Sequence, residues 1–175
     1  MFTPRYPSLY QINTRVWLTE LSRHLGRPAK LDDIPDAELD RLAERGFDWI
    51  WFLSVWQTGL AAQRVSRSNA EWRKEFQETL PDLRAEDIAG SGFAVTGYTV
   101  HPGLGGDAAL ARLRERLRKR GLRMMLDFVP NHMAPDHPWV EQHPDYFVHG
   151  SDSDLANAPQ NYCRVETSHG SLVLA

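Results

Sequence analysis

Apolar and polar positions alternate along this chain in a few distinct rhythms, and each rhythm predicts an element. LYQINTRVWL, Leu9 to Leu18, is rich in β-formers and partly alternating, which predicts a strand. DDIPDAELDRLAERG follows at 32–46. Asp33 or Asp36 can cap a helix there, Pro35 suits its first turn, and Leu39, Leu42 and Ala43 form an apolar stripe. Gly46 fits the position just past its end. FDWIWFLSVW, Phe47 to Trp56, is nearly continuous in apolar and aromatic residues. Such a run predicts a strand covered on both faces, as in a parallel sheet. The order strand, helix, strand is a βαβ unit.

Residues 57–92 interrupt that rhythm. NAEWRKEFQETL predicts a helix with Trp72, Phe76 and Leu80 on one side, and LPDLRAEDIAGSG predicts a turn, a short helical piece and a break. An excursion this long after a strand exceeds what connectivity needs, which points to function. GDAALARLRERLRKRG, Gly106 to Gly121, carries the clearest helical pattern, with Asp107 as its cap and Leu110, Leu113 and Leu117 on one face. Its arginines predict a solvated face. LRMMLDFV then predicts a third strand, and residues 131–175 read as a polar tail rich in His and Pro. The predicted strands near 9–18, 48–55 and 122–128 are parallel and adjacent in that order. The helix at 107–120 is expected to cover the outer face between the second and third.

Composition narrows the partners. The chain has 175 residues, 42% of them hydrophobic, and a net charge of −3, so no global field favours nucleic acid or an anionic membrane. Lysine occurs only at 30, 74 and 119, and the many arginines read as coding bias rather than a phosphate surface. Cys163 is the single cysteine, which excludes an internal disulfide. The start, MFTPRYPSLY, has no basic and apolar leader pattern, and no run approaches a membrane span. The expectation is a cytoplasmic protein.

Chemistry collects where the third predicted strand stops. Asp127, Asn131 and His132 follow an apolar run, with Pro130 fixing the backbone between them. Ligands of parallel α/β proteins meet the carboxyl ends of strands. An acid, an amide and an imidazole suit a polyhydroxylated ligand or a hard cation.

DFVPNH, residues 127–132, resembles the first signature of the α-amylase family, glycoside hydrolase family 13, at the end of the third strand of its (β/α)8 barrel. LYQINTRVWL resembles that family's first strand, GFDWIWFLSVWQTG its second, and SGFAVTGYTVHPGLGG the segment before its second helix. Four pieces in order make the resemblance specific. It implies an α/β fold: the N-terminal portion of a TIM barrel, about three strands and two helices, incomplete in this chain because eight units need ~250 residues. Residues 1–130 would be barrel, and 131–175 the start of the excursion after the third strand.

The resemblance also implies roles. His132 would hydrogen-bond the sugar at the scissile bond, and Phe93 would stack on the same sugar. Asp127 would complete this substrate-binding set as a buried acid, and Tyr98 matches a structural tyrosine. Asn131 would be the asparagine ligand of calcium-binding members; calcium is the one candidate cofactor, and none is required. Ala94 and Gly97 stand where aspartates are usual in the family. The family's nucleophile and acid/base carboxylates lie on its fourth and fifth strands, so no catalytic residue is expected here. The implied function is a fragment of a retaining glycoside hydrolase or transglycosidase acting on α-glucosidic bonds. The implied partners are an α-glucan or maltooligosaccharide and the missing C-terminal part of the barrel. The competing readings are a noncatalytic carbohydrate- or partner-binding α/β module, and a doubly wound domain, which would want a Gly-rich phosphate loop after a strand.

Overall fold

The computed structural model describes residues 6–168 and 170–175. The first five residues, part of the stretch read for a leader, and His169 lie outside them. The chain divides into two compact units: residues 1–58 with 97–131, and residues 59–96 with 132–175.

The first unit is built on three parallel strands in the order β1 (Leu9–Asn13), β2 (Trp49–Leu53), β5 (Arg123–Leu126). This is the predicted order and direction. The register pairs Tyr10 with Ile50 and Ile12 with Phe52, and Ile50 with Met124 and Phe52 with Leu126, so these side chains share one face. Ile50 and Phe52 are wholly buried there, and burying each contributes about 2–3 kcal/mol. The cover comes from helices. α2 (Asp36–Glu44) contributes Leu39 and Leu42, and α5 (Gly106–Lys119) contributes Ala109, Leu113 and Leu117 to the same core.

The opposite face carries Leu9, Trp49, Trp51, Leu53 and Met125. None of these is buried, although the apolar run of β2 predicts cover on both sides. Arg123 instead lies over the Trp49 ring at 5.4 Å, a cation–π contact between paired residues. Among the described residues, β1 and β5 each pair on one side only.

Three predicted features are corrected. The strand expected over 9–18 ends at Asn13, and Thr14–Leu25 is helix α1. Asn13 accepts from Val16 N–H at 3.3 Å and so caps it, and Gly26 at φ 64 ends it. Val16, Trp17, Leu18 and Leu21 follow a helical period that the β-forming composition concealed. Asp107, expected to cap α5, lies inside its first turn and accepts from Val100 N–H at 2.8 Å. The cap position is Gly105 at φ 104, where an added Cβ would strike Ala109. Similarly, Pro35 occupies the cap position of α2, with Asp36 its first residue, and Asp33 instead accepts from Lys30 N–H at 2.8 Å.

The arginine face of α5 is exposed but matched. Arg112 pairs with Asp32, Arg116 with Asp36, and Arg120 with Asp36 and Asp40. Both rows step by four residues, so two parallel helical segments align their charges turn by turn. Nearby, the Arg27 guanidinium bonded to Asp33, with the Lys30 N–H, holds that carboxyl down at about 2. Arg112 lowers Asp32 and Arg116 lowers Asp36. Carboxyls depressed in the folded state stabilise it fully above the unfolded value of about 4 and lose that contribution as pH falls toward 2. Thermal melts between pH 5 and pH 2 should therefore show a falling Tm, and Asp33→Asn should flatten part of the fall. These groups are exposed, so added salt should shrink the effect.

β3 (Trp56–Thr58) pairs with β4 (Val95–Val100). In the second unit, α4 (Ala70–Thr79) is the helix expected from NAEWRKEFQETL, and α3 (Leu60–Ser68) before it was not expected. The stretch read as a polar tail holds α6 (Pro138–Gln142), α7 (Asp152–Asn157) and an antiparallel hairpin, β6 (Cys163–Thr167) with β7 (Gly170–Leu174). Short elements between Pro and Gly leave little periodicity to read. No helix among the described residues is long and apolar enough to cross a membrane.

Candidate functional site

In the first unit, Asp127 directly follows β5 and is only 6% exposed. Its Oδ1 accepts from the Trp51 indole N–H at 2.8 Å and its Oδ2 from the Ser54 backbone N–H at 2.6 Å. Its carbonyl accepts from the Trp56 indole at 2.8 Å. One buried acid thus ties the carboxyl ends of β2 and β5. Both of its oxygens are used by protein donors, so its chemistry is directed at the scaffold.

Ser54 sits at φ 62, the one non-glycine residue with positive φ among those described. That conformation costs about 1–2 kcal/mol. It is held at both ends: its N–H by Asp127 and its carbonyl by Arg15 Nε at 3.1 Å. Arg15 also reaches the Trp56 carbonyl at 3.4 Å and Thr58 Oγ1 at 3.1 Å. The sequence singled out neither Arg15 nor Ser54. No local pattern marks a residue whose partners lie some forty positions away.

Tyr98 behaves as a structural tyrosine. Its hydroxyl accepts from Val129 N–H at 2.7 Å and donates to Val129 O at 3.1 Å. Its ring meets Trp56 edge-on at 5.3 Å and lies 5.8 Å from Phe128, which is 77% exposed. Asn131 is exposed. Calcium wants six to eight oxygen ligands. No group of three or more His, Cys, Asp or Glu suited to a metal occurs among the described residues. Asn131 by itself does not supply such a set.

Phe93 and His132 belong to the second unit. His132 is exposed, and Phe93 is 39% exposed with its N–H on Ser91 Oγ at 3.2 Å. The Ala134 N–H donates to the Val95 carbonyl at 3.0 Å. Each partner lies two residues past a candidate, so one backbone bond sets the Phe93 and His132 segments beside each other. Asp136 anchors the same loop further on, accepting from Ala61 N–H at 2.9 Å at the start of α3. A Cβ on Gly59 would collide with that carboxylate. Asp136 therefore fastens the His132 loop to the excursion, a role invisible in sequence because donor and acceptor are 75 residues apart. His137 accepts from Trp139 N–H at 3.0 Å through Nδ1, which caps α6.

The sequence profile described as "Alpha amylase, catalytic domain" matches residues 37–165. The chain is similar to an alpha-1,4-glucan:maltose-1-phosphate maltosyltransferase of Salinibacter ruber, 33% identical over 142 residues, 77% of this chain and 20% of that protein. A protein of the same name from Burkholderia pseudomallei is 30% identical over 166 residues, 90% of this chain and 13% of its own. The chain thus spans a fifth or less of these relatives. Among solved structures, an alpha-amylase from Lactobacillus plantarum aligns with a TM-score of 0.59 at 24% identity, over 83% of this chain and 28% of that one. A maltogenic alpha-amylase, AmyB, from Thermotoga neapolitana aligns at 0.58 and 18%, over 83% and 28%. These structural likenesses establish the fold.

Proposed function

Since the chain belongs to the family of alpha-amylase catalytic domains, whose profile spans residues 37–165, we propose that it forms the first part of a (β/α)8 domain that cleaves or transfers α-glucosidic bonds. The backbone bond from Ala134 to Val95, which sets the His132 and Phe93 segments together, carries the proposal. An aromatic face packs on the C–H face of a sugar, and an imidazole donates to its hydroxyls. Asp127 keeps the ends of β2 and β5 in register. The two free sheet edges and the uncovered second face support completion by further strands, which would turn that face into a barrel interior.

The proposed chemistry is double displacement with retention. A carboxylate attacks the anomeric carbon while a carboxylic acid about 5 Å away protonates the leaving oxygen. This chain would supply sugar contacts and scaffold rather than that pair. The names of the relatives favour transfer of a maltosyl unit from maltose 1-phosphate to an α-1,4-glucan over hydrolysis. The single cysteine favours a cytoplasmic setting.

The test is a titration of the chain with maltoheptaose, followed by the ring resonances of His132 and Phe93. A saturable shift lost in Phe93→Ala is expected. Absence of any saturable shift in the parent chain contradicts the sugar contacts.

A further inference from the structure

A half-buried cation without a counter-charge stands at the carboxyl end of the first unit's sheet. Arg15 is the second residue of α1, where the helix dipole disfavours a positive group. Among the described residues no carboxylate pairs with it, whereas the arginines at 112, 116 and 120 all have partners. Its three hydrogen bonds go to neutral acceptors: Ser54 O, Trp56 O and Thr58 Oγ1. Nη1 makes none among the described residues. Burial pulls the guanidinium below its usual pKa, the sign of an uncompensated charge.

A second donor is held by the same segment, Ser54 to Trp56. His101 follows β4, and its N–H is fixed to Val55 O at 2.9 Å. Its Nδ1 accepts from Gly103 N–H at 3.1 Å, so the neutral ring carries its proton on Nε2, which has no partner among the described residues. Burial first, and then the charge of Arg15, disfavour its protonation. At the start of the same helix α1, the hydroxyl of Thr14 is fully buried and has no partner among the described residues.

Removing a charge from water without pairing it is costly. Neutral acceptors orient Arg15 but leave its charge unbalanced. We propose that Arg15 Nη1 and His101 Nε2 bind a phosphate-type oxoanion beside the start of α1 and the end of β2. A tetrahedral oxoanion offers acceptors for both donors and balances the guanidinium and the helix start together. The site lies in the first unit and does not depend on the sugar contacts proposed for the second.

The probe is inorganic phosphate, titrated into the 175-residue chain at ionic strength held constant with chloride. The readouts are the Arg15 side-chain and His101 ring resonances. Saturable shifts of both are expected, with affinity falling about tenfold or more in Arg15→Met. His101→Phe provides a second variant, because it leaves the bonds from Arg15 to Ser54, Trp56 and Thr58 in place; it too should weaken binding. A parallel titration with glucose 1-phosphate separates the sources: saturation at lower concentration assigns a phosphate ester, and equal saturation assigns the free ion. No response beyond the chloride control, or undiminished phosphate affinity in His101→Phe, overturns the site.

Discussion

Asp127→Ala should cost the chain about 3–5 kcal/mol of unfolding free energy, the largest single loss expected outside the apolar core. The carboxylate is buried and serves two donors, the Trp51 indole and the Ser54 N–H. Leaving each donor unsatisfied costs about 1–3 kcal/mol, and the vacated volume adds to that. The loss also releases Ser54, whose positive φ is imposed from both sides. Asp127→Asn keeps the shape but turns an NH2 toward one donor, so about half the loss should remain. Ser54→Gly should act in the opposite direction, relieving about 1 kcal/mol of backbone strain. Urea unfolding of the three variants measures this order. An Asp127→Ala chain within 1 kcal/mol of the parent, on the scale of exposed substitutions, would remove Asp127 from the scaffold.

His132→Ala in a completed barrel should lower kcat by about 100-fold or more and change KM by about threefold or less. A donor aimed at the reacting sugar gains most when positive charge develops at the anomeric carbon and the ring distorts. Its removal therefore falls on the transition state more than on the ground state. Phe93→Ala should show the reverse balance, because stacking on a sugar face changes little as the bond breaks, so KM should rise more than kcat falls. Steady-state kinetics on a chromogenic maltooligosaccharide separates the two. An unchanged kcat in His132→Ala contradicts its assignment to the reacting sugar.

How much of this was legible in the sequence depended on how far each interaction reaches. The three parallel strands follow from runs such as WIWFL and RMML, and the core face of α5 from Leu113 and Leu117 at helical spacing. β1 is shorter than its composition predicts because the decisive signal, Asn13 capping Val16, is a side-chain bond that β-propensity hides. Asp107 resembles a helix cap because it precedes an apolar stripe, yet the backbone turn there falls on Gly105 and Gly106, both at positive φ. Asp127 was visible as an acid at a strand end. What it does was not, since its donors at 51 and 54 come from another strand and its loop. Arg15 and Asp136 act wholly through long-range partners, so no periodicity or motif exposes them.

The most direct test of the central proposal, that this chain brings scaffold and sugar contacts to a catalytic barrel whose carboxylate pair is supplied by other strands, is a turnover assay. Residues 1–175 are incubated with a chromogenic maltooligosaccharide beside a blank and beside the same sequence within a full-length barrel. A single engaged acid cannot be both nucleophile and proton donor. The expected result is release at the blank rate from the chain and retained-anomer product from the full barrel. Turnover well above the blank from the chain alone, abolished by changing one of its own carboxylates and not by further purification, would contradict it.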